Sequence, residues 1–252
     1  EAAIGPKTRL IVVDHVTSPT AFILPIHAIV DRAREKGIDV LVDGAHAPGM
    51  LDLNLDDLNA AYYVGNLHKW VGAPRGAAFL RVSPDRQQGI HPTTISHFLD
   101  QGFTQEFDWQ GTRDISPWLC TSTAIDVMAE VGWDRIRQHN HALAVWVGDL
   151  LCRRWDVAPI SPPDGSMIGS MVTVPLPDGF DQWAVPEALS AYLSATHSFE
   201  VPIVDWAGRR WLRASCQIYN RPQEYEHLAD VMLSLAHRDP VTDAVIASQP
   251  LD

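Results

Sequence analysis

The sequence predicts an α/β protein whose first half builds a largely parallel, mixed sheet and whose second half forms a smaller α+β unit. Three observations carry this. Short β-branched and aromatic runs (Val40-Leu41-Val42 and Ala60-Ala61-Tyr62-Tyr63-Val64) stop at Asp, Gly or Asn, as buried strands do. Residues 9–43 hold a strand, a helical pattern and a second strand, a βαβ unit that implies a parallel pair with a right-handed crossover. Beyond Thr123 helical spacing takes over, followed by short strands alternating with helices.

In chain order, residues 9–14 enter as a strand and residues 15–20 form the loop that leaves it. Pro25 stands at a helix start, Ile26, Ile29, Val30 and Ala33 share one face, and Gly37 stops the helix. The next strand ends at Asp43, after which Pro48 and Gly49 turn the chain. The strand at 60–64 leads to Asn66, His68 and Lys69. Gly72, Pro74 and Gly76 then allow a reversal before a strand at 77–82. Residues 83–123 show no periodicity, and so long an irregular stretch in a compact protein points to function. Helices are expected at 124–130 and 133–155, the second with Leu143, Val147, Leu150 and Leu151 as an apolar stripe. Strands follow at 171–176, 201–206 and 211–219, and helices at 186–197 and 222–237.

Ligands of open α/β sheets gather beyond the carboxyl ends of the strands, where Asp43 and Lys69 fall. Taken singly, Asp43 is a turn residue and Lys69 a solvated lysine. Together they have a chemical use. A lysine amine forms a Schiff base with an aldehyde cofactor, and a carboxylate keeps a pyridine nitrogen protonated so that the ring withdraws electrons. Pyridoxal 5'-phosphate makes that demand of its protein.

Here the residues carry a resemblance. Val42-Asp43-Gly44-Ala45-His46-Ala47-Pro48-Gly49 followed by Asn66-Leu67-His68-Lys69-Trp70 resembles the cofactor core of the class V aminotransferases, pyridoxal-phosphate enzymes of fold type I. The stretches around His15–Pro25 and Phe107–Asp114 are most similar to the isopenicillin N epimerase-like branch. The likeness runs from Arg9 to the last helix. It implies a large mixed-sheet cofactor domain at 1–131 and a connecting helix with a small domain at 132–252. It also implies roles: Lys69 carries the cofactor, Asp43 supports the ring nitrogen, and His46 and Ser18 stand near the phenolic oxygen. Asn66 and His68 donate to the phosphate, Gly111 and Thr112 reach across a twofold dimer to the partner's phosphate, and Arg213 grips a substrate carboxylate. Arg113 is expected to contact substrate or to pair with Asp114.

The implied reaction is epimerisation at Cα of an amino acid or amino-acid-bearing substrate, with class V transamination or cysteine-conjugate β-elimination as alternatives. A non-catalytic fragment or pseudoenzyme is the competing class. Cysteine desulfurases of the family need a nucleophilic Cys before the carboxylate-gripping Arg, and residues 194–211 hold none. Family members carry further large-domain sequence ahead of Arg9, so the chain, which opens at Glu1, is expected to be the carboxy-terminal part of a longer enzyme.

Composition sets the outer limits. With 252 residues, 46% hydrophobic content and a mean hydropathy of −0.06, the chain can bury a large core and stay in water. Its 31 acidic against 19 basic residues, a net charge of −12, argue against nucleic acid and anionic membrane as partners. No apolar run approaches the roughly 20 residues of a spanning helix, and residues 1–30 lack a signal-peptide layout. A cytoplasmic enzyme is therefore expected. Cys120, Cys152 and Cys216 are an odd number without CxxC spacing and read as reduced thiols. His139 and His141, two apart on a helix, face apart and make no metal pair. Trp109, Trp118, Trp183, Trp206 and Trp211 are expected mainly in the core.

Overall fold

The computed structural model describes residues 2–180, 183 and 185–236, which fall into two compact units. The first unit holds residues 2–16 and Leu24–Trp133. The second takes Thr17–Ile23 and the described chain from Asp134 onward.

In the first unit, β1 (Leu10–Asp14), β2 (Asp39–Asp43), β3 (Tyr62–Asn66) and β4 (Ala78–Val82) form one sheet in the order β1-β2-β3-β4. The first three run parallel and β4 returns antiparallel. Helix α1 (Ile26–Glu35) crosses between β1 and β2, burying Ile26, Val30 and Ala33 at the i, i+4, i+7 spacing of one face. That face meets Val40 and Val42, the inward alternation of β2, together with Leu58, Ala60 and Tyr63. Asn54 caps the short α2 (Leu55–Leu58) by accepting the amides of Asp56 and Asp57 at 3.1 and 3.2 Å. In register, Asp14 lies beside Asp43 and Asp43 beside Val64, so β1 and β2 end level and β3 runs two residues further, to Asn66, at the same sheet edge.

Residues 83–123 are less irregular than their sequence suggests. They hold a 3-10 turn at Pro84–Arg86 and the short helices α3 (Phe103–Asp108) and α4 (Ser116–Leu119), before α5 (Thr121–Val131). Pieces this short bury too few residues to write a period into the sequence. Their order comes from specific contacts instead: the Glu106 carboxylate, 5% exposed, lies 2.6 Å from His91 Nδ1 and accepts the Asp100 amide at 3.1 Å.

In the second unit, α6 (Trp133–Trp155) buries Leu143, Val147 and Leu151 with Ile136, Ala144 and Trp155. It packs with β5 (Met171–Pro175), α7 (Pro186–His197), β6 (Ile203–Trp206), β7 (Arg209–Ser215) and α8 (Pro222–Leu235). The strands form an antiparallel sheet, β5-β7-β6. Two differ from expectation. β6 starts after Pro202, which has no amide hydrogen for a ladder, and β7 starts at Arg209, behind the two left-handed residues Ala207 and Gly208 of a tight hairpin. β7 ends at Ser215: the Cys216 amide still meets the Ser170 carbonyl in the register of the ladder, but the Gln217 amide turns away to Asn220 Oδ1. Cys216 therefore lies past the strand. The expected last helix reached His237, which lies outside the described residues. Trp183 and Trp211 are buried, whereas Trp109, Trp118 and Trp206 are exposed and do not fill the core. Among the described residues no helix is long and apolar enough to cross a membrane.

The Glu106 carboxylate raises the imidazole of His91 above its ordinary 6.5. A pKa raised by folding stabilises the paired state below 6.5 and loses that contribution as pH climbs through the raised value. Amide exchange at Asp100, after correction for its intrinsic pH dependence, should therefore quicken severalfold as pH climbs above that range, and Glu106→Gln should remove the dependence.

Candidate active site

The site begins with β2. Val40 and Val42 take its buried face, which leaves Asp43 half-buried at the strand end. Asp43 Oδ1 accepts the Ala45 amide at 2.9 Å, an Asx turn that reverses the chain at once. The Gly44 amide bonds to the Val64 carbonyl at 2.8 Å, holding the turn on β3. A side chain could not stand at Gly44: its Cβ would come within 2.2 Å of the Tyr63 ring and hydroxyl. His46, Ala47 and Pro48 follow, all buried.

β3 delivers the other half. Asn66 is its last residue, and the loop behind it is closed by the Leu67 amide on the Ala77 carbonyl and the Ala73 amide on the Leu67 carbonyl. Lys69 emerges half-buried from this loop, with Nζ 3.2 Å from His46 Nε2. Trp70, 8% exposed, donates its indole N–H to His46 Nδ1 at 3.4 Å. The two turns touch directly: at Gly49, φ +82°, a Cβ would lie 2.8 Å from the Trp70 carbonyl. His68 donates its Nδ1 proton to the Ala77 carbonyl at 2.9 Å, leaving Nε2 to donate to an anion only as imidazolium.

Behind Asp43 sits a buried polar pair. His15, whose amide bonds to the Asp43 carbonyl at 2.8 Å, places Nδ1 2.9 Å from the Tyr63 hydroxyl. Tyr63 is 1% exposed and stacks on Phe79. Burial, then the nearby His27, lowers the His15 imidazole to about 4, and burial with the Asp43 charge raises the Tyr63 phenol, so both are neutral near pH 7. Burial and then Asp43 also raise the carboxyl of Asp14.

The first unit thus brings Asp43, His46, Asn66, His68 and Lys69 to neighbouring turns at the carboxyl edge of one sheet. Ser18 and Arg213 belong to the second unit. Arg213, on β7 opposite Thr173, donates Nη1 to both the Ser18 carbonyl (2.6 Å) and Oγ (2.9 Å). Its Nε is buried with no hydrogen-bond partner among the described residues, and burial lowers the guanidinium's pKa. Gly111, at φ +96°, and the exposed Thr112 lie on the turn after α3. Arg113 lies with its guanidinium 4.7 Å from the Trp118 ring centre and bonds to Gln110 rather than to Asp114, which caps the Ser116 amide.

Chemically, Lys69, Asp43 and His46 put an amine, a carboxylate and an imidazole at adjacent turns, a donor set that fits an aldehyde-bearing pyridine. The sequence has three lysines, and Lys7 and Lys36 are exposed on other elements, so Lys69 alone joins that set. Sequence reasoning missed Trp70, Tyr63 and Gly44. The pattern His68-Lys69-Trp70 was a signal for the first; nothing local marks the other two.

Comparison with known proteins agrees. The family described as Aminotransferase class-V matches residues 1–228. Isopenicillin N epimerase of Streptomyces clavuligerus is 34% identical over 250 residues, 93% of this chain and 62% of that protein. An L-cysteine desulfhydrase of Arabidopsis thaliana is 33% identical over 264 residues, 95% of this chain and 57% of that protein. The chain therefore spans about six-tenths of these relatives' length. Among solved structures, the apo cysteine desulfurase from Thermococcus onnurineus NA1 aligns with a TM-score of 0.69 at 22% identity, covering 90% of this chain and 60% of that one. The cystine C-S lyase C-DES, in complex with its product cysteine persulfide, aligns at 0.68 and 22%, covering 92% and 62%. The fold is that of the fold type I pyridoxal-phosphate enzymes.

The lowered imidazole of His15 has a consequence for stability. Between its ordinary 6.5 and about 4 the unfolded chain binds a proton that the folded chain does not, so stability falls as pH drops through that window. The expected loss is at most about 3 kcal/mol. Chemical denaturation at a series of pH values should show it, and His15→Gln should flatten it.

Proposed function

Since the chain belongs to the class V aminotransferase family, whose cofactor is pyridoxal 5'-phosphate, we propose that it acts at Cα of an amino acid or amino-acid-bearing substrate, by epimerisation. When bound, the cofactor supplies an aldehyde for covalent attachment and a ring that withdraws electrons from the bond broken at Cα. The chain's own residues do the rest. Lys69 is the attachment point and, once freed as an amine, takes the Cα proton at Nζ. Asp43 holds a proton on the ring nitrogen, and the neutral His15–Tyr63 pair behind it adds no competing cation. His46 donates to the phenolic oxygen, with Ser18 assigned to the same atom, while Asn66 and His68 hold the phosphate. Arg213 is assigned the substrate carboxylate, its planar fork kept in place by Ser18. The observation that carries this reading is the 3.2 Å approach of Lys69 Nζ to His46, on the turn that Asp43 begins.

We assign the large cofactor domain to residues 1–131 and the connecting helix with the small domain to 132–252. A homodimer with shared sites, Gly111 and Thr112 completing the neighbour's phosphate site, belongs to the same proposal. Its support is the exposed apolar side chains of the same region: Trp109, Ile115, Leu119, Ile125 and Val127. A cytoplasmic location fits such an enzyme.

A second reading has its own support. The desulfhydrase of Arabidopsis is as similar as the epimerase, and loss of a β-substituent needs the same Lys69, Asp43 and Arg213. Persulfide chemistry through a cysteine nucleophile is disfavoured: Cys216 is buried and its thiol is pushed up to about 12 by burial, far from the thiolate. Against a purely structural scaffold stands the retention of Asp43, His46, Lys69 and Arg213 together.

The reactions separate in deuterated water. Incubated with amino acids, the intact protein loaded with cofactor should return substrate that is deuterated at Cα and inverted. Release of sulfide or a thiol with pyruvate would move the assignment to elimination, and a requirement for a keto acid would move it to transamination. No exchange at all would leave the scaffold reading. Lys69→Ala should abolish exchange, and Arg213→Lys should raise KM for the carboxylate substrate about tenfold or more with a smaller change in kcat.

A further inference from the structure

The contacts around His46 constrain more than its position. A tryptophan indole has one N–H and no acceptor, so the 3.4 Å contact of Trp70 Nε1 with His46 Nδ1 makes Nδ1 the acceptor. A neutral imidazole carries one proton, which then resides on Nε2. Nε2 is the atom 3.2 Å from Lys69 Nζ. An ammonium group can only donate, and if it donated to Nε2 while Trp70 donated to Nδ1 the ring would be left with no proton at all, an imidazolate. An imidazolium would instead confront the Trp70 N–H with a second donor inside a buried pocket, His46 being 7% exposed and Trp70 8%. The remaining arrangement has Nε2–H donating to the nitrogen lone pair of Lys69.

We propose that Trp70 is a positioning residue: its indole N–H locks His46 in the Nε2–H tautomer, which aims that proton at Lys69 Nζ and receives the lysine as a free amine. The use of this lock rests on the cofactor reading above, whereas its existence does not. A free amine is the form that condenses with an aldehyde, and a donor fixed on Nε2 remains aimed at the same place once the amine is occupied. The lock is built into the fold, because the close approach of Gly49 to the Trp70 backbone sets where the indole stands. His46 is thereby given one face as acceptor and the other as donor, which is what separates a directed hydrogen-bond donor from an imidazole free to exchange tautomers.

The test is read first on the full chain without cofactor. Long-range nitrogen–proton correlation spectra of histidine-labelled protein near neutral pH, with His46 identified by its disappearance in His46→Gln, should show Nε2 protonated and Nδ1 bare. In Trp70→Phe, which keeps the backbone contact at Gly49 but removes the N–H, a second population protonated at Nδ1 should appear. Affinity for pyridoxal 5'-phosphate should fall about 5-fold in Trp70→Phe, the worth of one hydrogen bond. It should fall by less than 2-fold when the same change is made in His46→Gln, whose amide has no tautomer to lock. Wild-type His46 protonated at Nδ1, or doubly protonated, overturns the proposal whatever the variant does. So does a Trp70→Phe spectrum with an unchanged tautomer, or an equal loss of affinity in both backgrounds. A wild-type spectrum as expected, in a protein that forms no imine at Lys69, would retain the lock and sink the cofactor reading alone.

Discussion

Two turns, one after β2 and one after β3, are pressed together until no Cβ fits between them, and the candidate site depends on that closeness. At Gly49 the chain takes φ +82°, which a glycine adopts without penalty, and passes within contact of the Trp70 carbonyl. At Gly44 it lies directly on the Tyr63 ring. Parallel pairing of β2 and β3 sends both strand ends to the same sheet edge, and the missing side chains let the turns close over them. His46 and Lys69, 23 residues apart, meet as a result. Larger residues at either glycine would push the imidazole away from the amine while leaving the sheet intact.

The same packing decides the electrostatics. His15 and Tyr63 are buried behind Asp43 and satisfy each other, so neither carries charge near neutral pH, and the buried hydroxyl and imidazole cost little because they are paired. Asp43 stands at the rim of this neutral pocket with one oxygen on its own turn amide. Its backbone carbonyl accepts the His15 amide, which ties the strand end to the pocket. In the second unit Arg213 is treated in the opposite manner: burial disfavours its charge, and the Ser18 carbonyl and hydroxyl offset that at Nη1.

Much of this was legible from residues alone. The strands ending at Asp43 and before Lys69, the crossover helix from Ile26, and α6 and α7 to the residue follow from periodicity and punctuation, because each buries a face with a regular spacing. Where the reading slipped, side-chain bonds were responsible. β7 stops at Ser215 because the Asn220 side chain takes the Gln217 amide one step beyond the last rung, and the pieces between Ser83 and Thr123 are ordered by a buried glutamate rather than by a repeating face. Three of five tryptophans expected in the core are exposed, since a large amphipathic ring is no reliable witness to burial. At the site, residue types singled out Asp43 and Lys69 and the family resemblance singled out His46, but the contacts around the site came only with the fold: Trp70 to His46, Tyr63 to His15 and Ser18 to Arg213.

The central claim is that one amine, placed by these turns, takes the cofactor. Borohydride reduction of the protein after incubation with pyridoxal 5'-phosphate, followed by peptide mass mapping, tests it most directly, because the chain has only Lys7, Lys36 and Lys69 to label. The account predicts a single stoichiometric adduct on the peptide carrying Lys69. An adduct on Lys7 or Lys36 in preference, or no adduct above background, would contradict it.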